Sequence, residues 1–206
     1  MNASGKQILT IVLATVAFLV VAAAAVLGSG IYSFAADVHH SKPVLSMIEF
    51  ARDRSISTRA DDIKVPPLGE QALVTKGAGN YEAMCAQCHR APGKGPTELS
   101  QGLYPSPPNL ARHAVEPAAA FWTIKHGIKA SGMPAWGKSM QDRDIWSLVA
   151  FLQKLPSMDQ VAYRKLVEQS GGHSHGGASS VRQGDGSAMQ SAGHGPKEQS
   201  DGGHAH

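Results

Sequence analysis

Cysteine is nearly absent from this chain: 206 residues contain two, and both fall inside one pentapeptide. A zinc site at a comparable knuckle needs two further ligands, and no second cysteine pair exists to supply them. Strand-like alternation never runs beyond a few residues, so no sheet is expected and the class reads as all-α. Basic excess is also lacking. A formal net charge of +3, spread without clusters, argues against nucleic acid as a partner. Charge is missing altogether between Gln7 and Ala36. The length leaves room for one domain of ordinary size plus attachments.

What the chain does have is Cys85-Ala86-Gln87-Cys88-His89. Cys-x-x-Cys-His is the attachment signature of a c-type haem. On a helix, positions i, i+3 and i+4 share a face, so both thiols and the imidazole would meet the same flat ligand. The thiols would bond the haem vinyls and His89 would fall under the iron as proximal ligand. A dithiol redox pair, half of a zinc site and a disulfide are the competing uses of two such cysteines. A thioredoxin-like dithiol expects a βαβ pattern, whereas these flanks are helical.

An iron held by one histidine leaves a sixth position for methionine, a second histidine, or solvent and gas. Of seven methionines, Met133 stands in Ala130-Ser131-Gly132-Met133-Pro134-Ala135-Trp136-Gly137, which cannot be a regular helix. Gly132 permits close approach of backbone to ligand. Pro134 biases Met133 toward an extended conformation, so a loop presents its thioether. Met84 adjoins the proximal turn and is expected on the wrong side; Met140 lies on the approach to the next helix, and Met158 beyond Pro156. His113 and His126 are the rivals. His126 stands just before Gly127, where a protonated imidazole suits a helix C-terminus.

With these residues in place, the run from about Gly69 to Pro156 resembles a mono-haem class I cytochrome c. Gly77 with Tyr81 on the first helix, Cys85 to His89, Met133-Pro134 in the loop from Ile128 to Trp136, and a closing amphipathic helix with Trp146 follow that pattern in order. Within it, the chain is similar to membrane-anchored bacterial cytochromes of the kind that serve as haem subunits of terminal oxidases. The resemblance implies a small all-α cytochrome c fold wrapped around one covalent haem c, loaded with its cofactor outside the inner membrane. It also implies close helix crossing at Gly77.

The remaining segments follow from composition. Residues 1–36 contain Ile8 to Leu27, apolar except for Thr10 and Thr15, enough for a helix of roughly 30 Å and a bilayer crossing. A secretory signal has a shorter apolar stretch of about 7–15 residues, so a retained single anchor is expected, with Ser33-Phe34-Ala35 as the alternative cleavage point. Lys6 and the free amine place the short side in the cytoplasm and the haem domain in the periplasm. Residues 37–68 hold a helix starting near Pro43 and reaching about Ser55, then a stiff link at Val65-Pro66-Pro67. That helix is read either as a spacer or partner contact, or as a helix packed on its own domain.

In the domain itself, 69–156, a first helix is expected from Gly69 to about Arg90, then a Pro/Gly-rich loop from Ala91 to His113 walling one haem edge with Pro107-Pro108. A short helix follows between Pro117 and Gly127. A last helix carries Ile145, Leu148, Val149 and Leu152 in a buried stripe and stops at Pro156. Residues 157–170 form a short helical extension, with Ser157 and Gln160 at capping-box spacing. Residues 171–206, with ten glycines and five histidines, read as a disordered tail with a weak transition-metal signal at His173, His175, His194, His204 and His206.

Function follows from the ligand pair. With His89 and Met133 both on the iron, no position remains for substrate, so the chain reads as a one-electron carrier of the respiratory chain rather than an enzyme. Nine Lys/Arg against six Asp/Glu in 69–156 make a modest basic face for a redox partner. Alternatives are a tethered haem subunit of a larger oxidase or dehydrogenase, and a haem-based ligand sensor with an open sixth position.

Overall fold

The computed structural model describes residues 3–173 and contains helices and turns without a strand among them. Of the tail expected over 171–206, residues 171–173 are described, and the metal-ligand candidates His175, His194, His204 and His206 lie outside the described residues. The first helix, α1, runs Ala3–Gly28. Its large apolar side chains, among them Phe18 and Leu27, are exposed, which in water would be costly and in lipid is not. By length and composition α1 can cross a bilayer.

Helix α2 spans Lys42–Ala60, with Pro43 in its first turn. It runs farther than Ser55 because its last turns pack against the helix α6, Pro117–His126. Ala60 is buried there, and the Arg59 guanidinium stands 5.9 Å from the Trp122 ring centroid, a cation–π distance. So α2 is a helix docked on the domain, not a detached spacer.

Two crossing helices build the core. Helix α3, Gln71–Met84, lies against α7, Asp142–Leu152. A Cβ on Gly77 would overlap the Ser147 carbonyl and the Phe151 Cβ, so only glycine lets the two backbones come this close. The expected stripe of Ile145, Leu148, Val149 and Leu152 is buried, and Phe151 joins it. Helix α8, Gln160–Gln169, folds back on α3, where the Tyr163 hydroxyl donates to the Glu82 carboxylate. Asp144 at the start of α7 is fully buried and accepts from Lys76 Nζ at 2.6 Å.

Two expectations about helix ends change. The first core helix does not continue to Arg90: it stops at Met84, and a separate single turn α4, Ala86–His89, follows. Arg90 then turns the chain with φ of 68°, a conformation costly for a non-glycine residue. The Tyr81 hydroxyl supports that turn, donating to the Arg90 carbonyl at 2.6 Å. Nor does Ser157 cap α8; it lies in a 3-10 turn, Leu155–Ser157, and the cap is Asp159, which accepts from the Ala162 N–H at 2.7 Å. A capping box forms instead at Thr97 and Ser100, starting a short helix α5, Glu98–Gly102, inside the stretch expected to be loop.

Candidate functional site

Between α3, α6, α7, α2 and the loop after α6 lies a cavity of about 690 Å³, within the range of small-molecule and cofactor sites. Cys85, Cys88 and His89 all line it. The turn that places them is closed by hydrogen bonds from the Cys88 and His89 N–H groups to the Cys85 carbonyl, at 3.1 and 2.8 Å. Both cysteines are unpaired thiols. Burial, and secondarily the neighbouring Cys88, push the Cys85 thiol up to about 12. At neutral pH it therefore stays a protonated thiol.

His89 is oriented by a group the sequence reading assigned to another purpose. Its Nδ1 lies 3.0 Å from the Pro108 carbonyl oxygen. A carbonyl only accepts, so Nδ1 carries the proton and Nε2 keeps a free lone pair. Burial lowers the His89 pKa, and the bond to Pro108 opposes this less strongly. The imidazole is thus held neutral, the form that binds metal. Pro107-Pro108 does line the cavity, but what it contributes to His89 is a backbone acceptor. Pattern reading had no signal for that, because a carbonyl belongs to every residue.

Met133 is half-buried and also lines the cavity. Its loop is locked from both sides. The Ile128 N–H donates to the Met133 carbonyl at 3.1 Å, and Ser131 Oγ donates to the Ile128 carbonyl and accepts from the Met133 N–H. Gly127 has φ of 66°, and a Cβ there would come within 2.7 Å of the Met133 carbonyl oxygen. Glycine is therefore required where α6 hands over to this loop.

The rivals sort differently. Met140 is buried in the core and does not line the cavity. His126 ends α6, exposed, with its ring 4.9 Å from that of Trp122. His113 is exposed and away from the cavity wall. Met84, expected on the wrong side, does reach the cavity, and its Sδ is also 3.2 Å from His173 Nε2. Five residues of α2, Glu49, Arg52, Asp53, Ile56 and Ser57, complete one wall; sequence reasoning gave that helix no place in the site.

Residues 72–152, from the start of α3 to the end of α7, match the family described as cytochrome c oxidase, cbb3-type, subunit III. This stretch is a class I cytochrome c domain. Nothing matches the chain among curated proteins or among solved structures. A cytochrome c domain implies haem c and one-electron transfer, and the cavity suits that group: a large space holding two thiols, a neutral imidazole with one free nitrogen and a thioether. The cytochrome domain ends on both sides before the chain does. Helices α1, α2 and α8 stand outside the match.

Proposed function

We propose that this chain is a membrane-tethered c-type cytochrome with one covalently bound haem held by His89 and Met133, working as a haem subunit of a terminal oxidase complex. The observation that carries the reading is that Cys85, Cys88, His89 and Met133, 48 residues apart at the extremes, converge on one cavity.

Each residue has a defined task. The Cys85 and Cys88 thiols would hold the haem covalently, each sulfur bonding one carbon of a vinyl group while its proton passes to the other, with no net oxidation. His89 would hold the iron through Nε2, its ring plane fixed by Pro108, and Met133 would hold it through the thioether of its locked loop. The group so held supplies reversible one-electron exchange, and thioether ligation with burial raises its potential. Leu148, Leu152 and Trp136 along the wall keep water out.

Membrane anchoring rests on α1 and the oxidase-subunit likeness. Lys6 on the short side supports a cytoplasmic N-terminus and a periplasmic domain at the bacterial inner membrane. The acceptor is then a redox partner within the same membrane complex.

A Met133→Ala variant tests the reading. In the wild type, the purified chain carries the added mass of haem, shows the near-infrared band of ferric sulfur ligation and resists carbon monoxide in the ferrous state. In the variant the band is lost and carbon monoxide binds. An unaltered band would remove Met133 from the iron; a colourless wild type made with active maturation machinery would remove the haem.

A further inference from the structure

Haem c brings two propionate carboxylates, and an anion placed at an apolar cavity needs a cation or several donors beside it. Among the described residues lining the cavity, Arg52 is the one Lys or Arg. The other basic groups nearby are engaged elsewhere: Lys125 with Asp142 at 2.8 Å, Lys76 with Asp144 at 2.6 Å, and Arg59 over Trp122. Arg52 comes from α2, outside the matched stretch 72–152.

Its own hydrogen bonding leaves capacity to spare. Arg52 Nε donates to Asp53 Oδ1 at 2.7 Å, one of the five donors a guanidinium carries. The Nη groups, the pair that meets a carboxylate as a fork, have no hydrogen-bond partner among the described residues. Carboxylates on the same wall are accounted for. Glu116 accepts from the Ala118 and Ala119 N–H groups at the start of α6. Glu49 and Asp53 flank Arg52 and hold it protonated, the Asp53 hydrogen bond being the larger influence.

We infer that Arg52 is a haem-positioning residue: its Nη fork binds a haem propionate while Nε keeps Asp53, so that α2 closes the haem site. This rests on the haem reading above. It makes the helix that follows the membrane anchor part of the cofactor site.

The test is a redox titration of the full-length chain in detergent, with haem content read by mass and absorbance. Ferric haem bears one more positive charge than ferrous, so a neighbouring cation disfavours the ferric form. Arg52→Gln therefore keeps its haem and lowers the midpoint potential, Arg52→Lys recovers most of the loss, and Arg54→Gln, on the same helix but exposed and off the cavity, leaves it unchanged. A normal potential in Arg52→Gln with haem intact overturns the inference and spares the haem reading. So does an equal fall in Arg54→Gln, which would trace the effect to the net charge of α2, or an Arg52→Lys variant no better than the glutamine. A wild type without haem overturns both.

Discussion

The Nδ1 atom of His89 donates to the backbone carbonyl of Pro108 at 3.0 Å, and this bond decides that Nε2 is the nitrogen with a free lone pair. Such an outer partner adds electron density to the ring and so favours ferric iron. Replacing Pro108 by alanine keeps the carbonyl but frees φ, which proline confines near −65°. Pro108→Ala is expected to retain covalent haem and to raise the midpoint potential, measured by redox titration. An unchanged potential would mean that the loop holds the carbonyl without the ring.

Gly77 gives a sharper structural test. With no room for a Cβ against Ser147 and Phe151, Gly77→Ala must push α3 from α7, an overpacking cost of about 1–3 kcal/mol, seen as a lowered Tm of the holoprotein. Gly69→Ala serves as control, since a Cβ there meets open space; its Tm should stay within the scatter of surface substitutions.

The Lys76–Asp144 pair is asymmetric: the Asp144 side chain is 0% exposed and that of Lys76 34%. Removing the acid leaves a cation that can turn to water, whereas removing the lysine leaves a charge in the interior, with Arg143 Nε 3.7 Å away. Lys76→Met should therefore destabilise more than Asp144→Asn, by chemical denaturation; breaking a buried pair costs about 3–5 kcal/mol, and partial exposure of Lys76 brings this case below that range. The reverse order would mean that the pair is water-screened.

Two tyrosines govern alkaline behaviour. Burial raises the Tyr81 pKa, and burial followed by the Glu82 hydrogen bond raises that of Tyr163. A phenol whose folded pKa is raised contributes stability that is complete below its unfolded value, about 10, and is lost as pH climbs above it. Stability should fall steeply above that point, with phenolate absorbance from these two rings appearing only on unfolding. Tyr81→Phe removes part of the slope. Ionisation of all tyrosines before unfolding would contradict it.

The proposed haem also bears on folding. Left unfilled, the 690 Å³ space would expose apolar walls such as Ile124, Leu148 and Leu152 to water, each worth about 1.5–3 kcal/mol when buried. Whole domains have about 5–15 kcal/mol. The Cys85→Ser, Cys88→Ser double variant should show weak far-ultraviolet helix signal in the cytochrome domain and high protease sensitivity; a native-like apo domain would refute this.

Sequence alone determined what depends on spacing and composition. The Cys85–Cys88–His89 turn, the Met133 loop between Gly132 and Pro134, the buried stripe of α7 and the apolar α1 are local patterns, and each is expressed within a few residues of chain. The helix ends after Met84 and before Gln160 were not legible, because several cap candidates competed and packing chose between them. Tertiary structure alone decided that Pro108 turns its carbonyl to His89, that Gly77 meets Ser147, and that α2 lays Arg52 along the cavity. Those relationships join residues far apart in sequence through shape and backbone atoms; the glycine at 77 hints at a close crossing without naming its partner, and the Pro108 carbonyl and the reach of α2 leave no mark in residue identity.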